Sequence, residues 1–337
     1  MNKKKFKNTD WKILICVILL LIIGLIALYS ATTSSEFAEF KKQIIWILLG
    51  IPLFLIMYFI DYRILARFSI IFYGVSIILL IIVLFTSEVN GASSWFNIGS
   101  FSLQPAEFAK IAVILFLAYM MSKLRRKSRK TNNKPINILK TIGIVGIPLI
   151  LIVLQPDFGT ATAYIFGLIF ILFVAGIDKR YIIVSITLIV VLVPLLYFFV
   201  LPEHAKARID VYLDPYSDPR GDGYNIIQSE IAIGAGQLLG LGFLKGTQTH
   251  LGYLYPKTTD FIYSVIGEEF GFIVSSIIVI IYVMLITKCV NVAKTASDDL
   301  GSYIAIGLSR YIIFPCIRKH WYDNRITTNY RSATTIY

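Results

Sequence analysis

Charged residues, cysteines and histidines are all scarce in this chain of 337 residues. Charged side chains make up 15% of it and hydrophobic residues 57%, with three cysteines and three histidines. So little charge excludes a soluble domain of this length, because soluble domains are usually about one-quarter charged. The cysteines lack the paired spacing of a disulfide framework, and neither they nor the histidines are spaced like metal ligands. Long apolar runs dominate instead, which is typical of an integral membrane protein.

Apolar runs that can cross a bilayer, which takes about 20 residues each, recur along the chain. They begin near Ile13, Ile44, Ser69, Phe108, Ile138, Thr160, Tyr181 and Ile262. A ninth run, Tyr303 to Phe314, is too short to cross. The sequence therefore predicts an all-α polytopic membrane protein with about eight transmembrane helices. The first run is too long for a cleaved signal peptide and lacks a small-residue cleavage site, so we expect a retained anchor.

Basic residues mark one side of the predicted membrane. Lysines crowd the amino terminus from Lys3 to Lys12, and a dense basic cluster follows the fourth apolar run at residues 123–134. Short positively charged loops stay in the cytoplasm, so the amino terminus and every second loop after it are predicted to be cytoplasmic. The net charge of +12 then requires no nucleic acid, because these side chains can contact anionic membrane lipids.

Four polar motifs fall at the outer face in this orientation. They are QPAEFAK at 104–110, QPDFG at 155–159, GYNIIQS at 223–229 and TTDF at 258–261. The last two belong to a long outer loop between the seventh and eighth runs, residues 202–261, and loops of that length are usually functional. Because charge beside an apolar span is costly and usually functional, we expect the carboxylates and Lys110 to converge on one extracytoplasmic site.

Each motif also has a purely structural interpretation. Pro105 and Glu107 fit a helix start, with the carboxylate near the positive end of the helix dipole. Asp157 lies among ordinary turn residues, but at the membrane edge it needs a partner such as a cation or Lys110. Asp260 fits a helix cap. Lys110 favours function, because an unpaired ammonium inside an apolar span is expensive, and an ion pair with Glu107 or a phosphate would explain it.

A glycine-rich segment at residues 234–246 interrupts the long loop. The spacing of Gly240, Gly242 and Gly246 lacks the preceding strand and the interval of a dinucleotide-binding fingerprint. Close packing of a re-entrant helix is the better interpretation of these small residues.

The order of these motifs resembles the SEDS family of shape, elongation, division and sporulation proteins, of the RodA and FtsW type. The resemblance rests on GASSW at 91–95, on the QPAEFAK and QPDFG motifs, on the run from Gln228, and on TDFI at 259–262 followed by EEFGF at 268–272. It extends to about Ser309. It implies a ten-helix fold, of which about eight helices are present here, with a cytoplasmic amino terminus and a large outer loop between helices 7 and 8.

The resemblance also implies an activity. Family members are inverting peptidoglycan glycosyltransferases that polymerise lipid II, a lipid-diphosphate donor, on the outer face of the cell membrane during elongation, division or sporulation. They work with a class B penicillin-binding protein, a transpeptidase. By motif, Asp260 would be the catalytic carboxylate that takes the proton of the attacking sugar hydroxyl. Also by motif, the substrate site would be lined by Trp95, Glu107, Lys110, Asp157, Gln228 and Ser229. The chemistry adds a requirement, because the diphosphate leaving group needs positive charge from Lys110, from Arg208 as a further substrate-binding residue, or from a divalent cation, Mg²⁺ or Mn²⁺, held by acidic groups such as Asp157.

Two other functions fit a polytopic chain with charge at the membrane. A lipid II flippase would need a polar path between both faces, whereas the unpaired charges here cluster on the predicted outer side, which favours an enzyme. A non-catalytic scaffold that only recruits the transpeptidase predicts that replacing Asp260 by alanine preserves growth.

The resemblance ends near Ser309, where the tail turns polar and basic. Family members continue with two more apolar spans. In a shifted reading frame, each new codon takes the last two bases of one codon and the first base of the next. Read in this frame, the codons from Arg318 to Ile336 can encode ENIGMTIGLLPITGVPLPF, which is similar to the family's carboxyl-terminal run. The sequence therefore predicts an incomplete SEDS-type transmembrane domain at 1–309 and an out-of-frame tail at 310–337. Without the last two spans, we expect this chain to be inactive; a natural soluble extension is the alternative.

Overall fold

The structure, a computed structural model, describes residues 9–86, 93–98, 101–127, 133–178, 214–221 and 223–309, together with scattered positions between 180 and 211. Its helices in chain order are α1 (Trp11–Ala31), α2 (Ala38–Phe59), α3 (Tyr62–Arg67), α4 (Ser69–Val83), α5 (Pro105–Lys127), α6 (Pro135–Val153), α7 (Phe158–Val174), α8 (Tyr224–Gly236), α9 (Thr247–His250), α10 (Ile262–Thr295) and α11 (299–309). Single turns of 3₁₀ helix lie at Thr33–Ser35 and Pro215–Ser217. The chain is therefore mostly helical, as the sequence predicts.

A short hairpin departs from the predicted all-α fold. Its strands, β1 (Phe96–Ile98) and β2 (Phe101–Leu103), pair antiparallel with Phe96 opposite Leu103. They occupy the loop before α5, where the run of polar and glycine residues ends the helical pattern. Strands of three residues leave no periodic signal in a sequence.

Five of the described helices are long and apolar enough to cross a membrane, judged by length and composition: α1, α2, α5, α6 and α10. Two more apolar helices, α4 and α7, are shorter. Most of the seventh predicted run, near Tyr181, lies outside the described residues, as does the tail at 310–337. The prediction of several apolar spans is confirmed, and the number of eight stays a prediction.

The chain divides into two compact units. The first comprises Met1–Phe54, Ile189–Lys288 and Pro315–Tyr337, and the second comprises Leu55–Leu188 and Cys289–Phe314.

Small residues let the helices of the second unit pack closely around α5. This helix contacts α4, α6 and α7, and its Ala106, Ala109 and Ala118 are fully buried. Between helices in lipid, where there is little water to exclude, such close contact is the main source of packing energy. The result is that α5, which carries the QPAEFAK motif at its start, is the most enclosed span of its unit.

Charged side chains join α3 to the start of α11 in the second unit. Asp298 accepts hydrogen bonds from Tyr62 Oη at 3.0 Å, from Arg63 Nη2 at 3.0 Å and from the backbone amide of Gly301 at 2.8 Å. Burial alone would raise the pKa of Asp298, but these donors outweigh it and lower the pKa below the ordinary value. The carboxylate therefore ties two helices together in its ionised form.

In the first unit, α10 is broken at Gly271. Its φ of 72° and ψ of −171° are not helical, and such a positive φ favours glycine. A Cβ atom here would lie 2.3 Å from the backbone nitrogen of Gly240, so the space is closed to any side chain. Hydropathy gives no sign of this break, because the apolar run continues through it.

The segment 237–242 satisfies the backbone groups that the break releases. Four hydrogen bonds join this segment to α10: Leu241 N to Glu268 O (2.9 Å), Gly242 N to Glu269 O (3.0 Å), Phe272 N to Gln237 O (2.8 Å) and Ile273 N to Leu238 O (3.3 Å). In an unbroken helix the two carbonyls and the two amides would pair with each other. Irregular backbone is tolerated in apolar surroundings when protein satisfies it in this way.

The predicted close packing of the glycine-rich segment is present, but the predicted re-entrant helix is wrong. Residues 237–246 are irregular after α8 ends at Gly236. The physical reason is that four backbone groups of the segment 237–242 are bonded to α10 and so cannot continue the helical hydrogen-bond pattern of α8.

Candidate functional site

The QPAEFAK motif of the second unit forms the start of α5. Pro105 begins the helix and Glu107 lies in its first turn, as the helix-start interpretation predicts. Lys110 is only 7% exposed, and its Nζ forms an ion pair with the Glu107 carboxylate. The Glu107 side chain is 55% exposed. The predicted ion pair is thus present, and it joins a buried ammonium to a carboxylate at the surface of the unit.

Asp157 caps α7, so the structural interpretation of this residue holds. Its Oδ1 accepts from the backbone amide of Thr160 at 3.0 Å, and its Oδ2 accepts from Gln104 Nε2 at 2.6 Å. These amide donors are its partners in the structure, whereas Lys110 pairs with Glu107. The bond to Gln104 ties the QPDFG motif to the residue before α5, so the two motifs form one cluster.

Gln155 anchors this cluster from inside. Its side chain is fully buried, and its Nε2 donates to the carbonyl of Leu80 near the end of α4 at 3.1 Å. Tyr164 of α7 donates to the carbonyl of Ala106 at 3.1 Å. Trp95, which precedes β1, is 40% exposed and presents its ring at the surface of the unit. The sequence identified the motif around Gln155 but gave no sign that this side chain points inward.

The predicted site residues of the first unit differ in exposure. Ser229 of α8 is 7% exposed, and its Oγ lies 2.6 Å from Ser264 Oγ on α10. This contact packs two helices together and favours a structural role for Ser229. Gln228 is half-buried, whereas Asp260 is exposed two residues before α10 begins at Ile262. An exposed carboxylate at the end of a loop is open to a substrate.

Two adjacent carboxylates in α10, Glu268 and Glu269, are fully buried. The sequence places them inside the eighth apolar run but indicates no role for them. Glu268 accepts four hydrogen bonds, all from the four-residue helix α9: from Thr247 Oγ1 (3.2 Å), Gln248 N (2.7 Å), Thr249 N (3.0 Å) and Thr249 Oγ1 (2.6 Å). A buried charge with so many donors is well compensated.

Glu269 binds the other end of α9. Its Oε1 accepts from Ser30 Oγ at 2.5 Å and lies 3.1 Å from His250 Nε2. His250 Nδ1 lies 3.4 Å from Thr33 Oγ1, whose own hydrogen is donated to the carbonyl of Ser30. Each ring nitrogen of His250 therefore faces an oxygen that can accept a hydrogen bond. Glu269 and His250 thus link α9 to the end of α1.

The structure does not bring together a metal site in the part of the chain that it describes. No cluster of three or more histidine, cysteine, aspartate or glutamate side chains there could hold a metal ion. Both oxygens of Asp157 accept from N–H donors, whereas Mg²⁺ requires several oxygen ligands. The described residues do not fit the divalent cation that the charge of a diphosphate leaving group suggests.

The predicted site residues divide between the two units. Glu107, Lys110 and Asp157 lie in the second, with Trp95, whereas Gln228, Ser229 and Asp260 lie in the first. Within the second unit, Gln104 brings the two motifs together. Arg208 lies outside the described residues. Convergence of all these side chains on one site stays a prediction.

Comparison with known proteins gives these motifs a family context. The sequence pattern of the FtsW, RodA and SpoVE family, described as cell cycle proteins, matches residues 10–318. The peptidoglycan glycosyltransferase MrdB of Escherichia coli K12 is 33% identical to the chain over 314 residues, which cover 91% of this chain and 82% of MrdB.

Solved structures share the fold. One is the structure of a peptidoglycan synthase complex, described as showing the structural coordination of polymerization and crosslinking. Its matching chain is 25% identical to this chain with a TM-score of 0.79, and the match covers 94% of this chain and 87% of that one. A mutant of the rod shape determining protein RodA of Thermus thermophilus is 22% identical, with a TM-score of 0.65 over 93% of this chain and 84% of that one.

Proposed function

Because the chain belongs to the FtsW, RodA and SpoVE family of cell cycle proteins, we propose that it is a peptidoglycan glycosyltransferase, the activity for which its relative MrdB is named. It polymerises lipid II into glycan strands on the outer face of the cell membrane, in elongation, division or sporulation. It crosses the membrane several times, with a cytoplasmic amino terminus, about eight transmembrane helices and a large outer loop between helices 7 and 8.

The observation that carries this proposal is the exposed Asp260 carboxylate directly before an apolar helix. Transfer begins when a hydroxyl of the acceptor sugar attacks the anomeric carbon of the donor. The new glycosidic bond forms, the bond to the diphosphate breaks, and the configuration inverts. Asp260 takes the hydroxyl proton as general base, and the lipid diphosphate leaves with the electron pair.

Lys110 supplies positive charge for the diphosphate. Its ammonium is buried in α5 and paired with Glu107, whose side chain is exposed. An ammonium fixed in apolar surroundings interacts with an anion more strongly than one in water, because the local dielectric constant is lower. Trp95 can pack against a sugar ring, and Gln228 and Arg208 are proposed to bind the polar part of the substrate.

A class B penicillin-binding transpeptidase is the proposed partner. Support comes from the matching chain of the peptidoglycan synthase complex, which is described as coordinating polymerization and crosslinking. The divalent cation that the charge of the diphosphate suggests enters no step here, since the described residues do not fit it.

The carboxyl-terminal part of the chain belongs to the same proposal. Residues 1–309 form an incomplete SEDS-type transmembrane domain, and residues 310–337 are an out-of-frame tail. The run permitted by the shifted codons of Arg318 to Ile336 supports this division.

Replacing Asp260 by alanine tests the function. We expect the rate of lipid II polymerisation to fall by about 10²-fold or more, because a positioned base contributes on that scale. Purified protein is mixed with its transpeptidase and lipid II in vesicles, and glycan strands are resolved by gel. Both the present chain and a frame-restored chain are assayed.

The matched control is Glu39→Gln, which neutralises an exposed carboxylate in α2 that accepts a bond from Ser35. This variant should polymerise at the wild-type rate. If Asp260→Ala also polymerised at that rate with the partner still bound, Asp260 would not be the base.

A further inference from the structure

We propose that Glu268 is a positioning residue for the transfer reaction. Its buried carboxylate fixes α9 and, through Lys257, the segment that carries Asp260. The inference rests on the proposed function, because it assumes that Asp260 takes part in the chemistry.

The contacts of Glu268 are all directed at one short stretch of chain. Four donors from Thr247 to Thr249 surround its two oxygens, and two of these donors are backbone amides. Backbone donors fix the main chain and not only a side chain. Glu268 therefore determines where α9 lies relative to α10.

The fit around this carboxylate is tight. A Cβ atom on Gly246, the residue before α9, would lie 2.7 Å from Glu268 Oε2. The main chain can approach the carboxylate closely because that position has no side chain. This close approach places the first amides of α9 within reach of both oxygens.

Lys257 carries the constraint forward along the chain. Its Nζ donates to the carbonyl of Thr249 at 2.8 Å, and partial burial lowers the pKa of this amine below its usual value. Pro256 accepts from the backbone amide of Phe261 at 3.3 Å, which closes the turn containing Asp260. A continuous series of hydrogen bonds thus runs from Glu268 through Thr249 and Lys257 to the turn of Asp260.

Placement of this precision matters for the reaction. A displacement of about 1 Å in a reacting group can reduce a rate by about 10²-fold. Glu268 is itself fully buried, so it acts through the loop and does not touch substrate. The role predicts an effect on turnover without a comparable effect on substrate binding.

Amide hydrogen exchange of the full chain, measured by mass spectrometry, tests the positioning directly. In Glu268→Gln, an amide NH₂ group replaces one of the two oxygens, so it faces N–H or O–H donors that it cannot accept from. We expect peptides covering residues 244–261 to exchange at least about tenfold faster, with unchanged exchange in α5. Glu39→Gln serves as the control and should leave both regions as they are.

The second variant, Lys257→Met, leaves the buried carboxylate intact and removes the hydrogen bond to Thr249. It should raise exchange at residues 255–261 while α9 stays protected. In the frame-restored protein, Glu268→Gln, Lys257→Met and the double variant should lower kcat by similar factors with KM within about twofold, because residues that act as a unit are not additive.

The outcomes separate this inference from the proposed function. If Glu268→Gln left exchange at residues 244–261 unchanged, or raised it uniformly along the chain, the positioning role would be wrong even in an active enzyme. Additive losses in kcat for the two substitutions would also overturn it. If the frame-restored protein without substitutions made no glycan strands, the proposed function would fail, and local exchange would still decide whether Glu268 positions the loop.

Discussion

Lys110 is an ammonium buried in an apolar helix, and such a group is usually kept for a purpose. Its ion pair with Glu107 compensates the charge but does not explain why a lysine is present, because apolar residues can replace buried ion pairs without loss of stability. The proposed recognition of a diphosphate by Lys110 would give that explanation.

Replacing Lys110 by methionine separates the two roles. The apolar side chain is similar in length and suits the span, so we expect the melting temperature of the detergent-solubilised protein to stay the same or rise. Polymerisation of lipid II should fall by about 10²-fold, since a group that binds developing negative charge is lost. Thermal unfolding and the glycan-strand assay measure the two effects.

Lys140→Met is the matched control, because Lys140 is an exposed lysine on the apolar helix α6. It should change neither quantity. A fall in melting temperature for Lys110→Met that accounts for the lost activity would mean that Lys110 serves the fold alone.

The sequence predicts individual roles well where they depend on neighbours along the chain. Pro105 and Glu107 mark the start of α5 by local rules, and the spacing of Glu107 and Lys110 predicts their ion pair. Glu268 and Glu269 escape prediction because their partners come from α9 and α1, far away in sequence. Only the fold shows which donors bind Glu268 and Oε1 of Glu269; Oε2 of Glu269 is buried without a donor among the described residues.

At the scale of the helix, hydropathy identifies spans but not their interruptions. The run from 262 to 295 predicts one apolar helix, and the structure breaks it at Gly271. A glycine within an apolar span is common, so it carries no clear signal. The break depends on a segment more than 25 residues earlier, at 237–242, whose amides bond to α10.

The link between α3 and α11 should depend on pH. The pKa of Asp298 is lower in the folded chain than in the unfolded chain. Its stabilising effect is therefore complete above the pKa of the unfolded chain, about 4, and is lost as the pH falls through the pKa of the folded chain. We expect the melting temperature of the wild type to drop below about pH 4.

Asp298→Asn provides the comparison for that measurement. The amide keeps the shape but has no proton to bind, so the drop in melting temperature should be smaller in the variant than in the wild type. Equal curves for the two proteins between pH 3 and 6 would show that Asp298 does not contribute. Thermal unfolding in detergent across this range gives the answer.

At the scale of the whole molecule, the likeness to known proteins covers almost the entire chain. MrdB matches 91% of it, and the matching chain of the synthase complex covers 94%. Family, fold and activity could therefore be inferred from the order of the motifs alone. The relation between the two units could not, because it depends on which loops meet and not on local sequence.

Sequencing the gene from codon 295 past codon 337 tests the proposed tail. We expect an extra or missing base near codons 308–310, after which the restored frame encodes ENIGMTIGLLPITGVPLPF and two apolar spans. If independent isolates carried the same bases as the present gene, residues 310–337 would be a natural part of the protein and the proposed frameshift would be wrong. The restored protein should then be compared with the present one for thermal stability and polymerisation.

The break in α10 also constrains the order in which the protein assembles. A straight α10 satisfies its own backbone, with the amides of residues 272 and 273 bonded to the carbonyls of 268 and 269. Docking of the segment 237–242 replaces those two internal bonds with four shared ones. The helix can therefore enter the bilayer whole and open only when the earlier segment returns to it. We therefore expect bending of this span to be a late event, coupled to closure of the loop that carries α9.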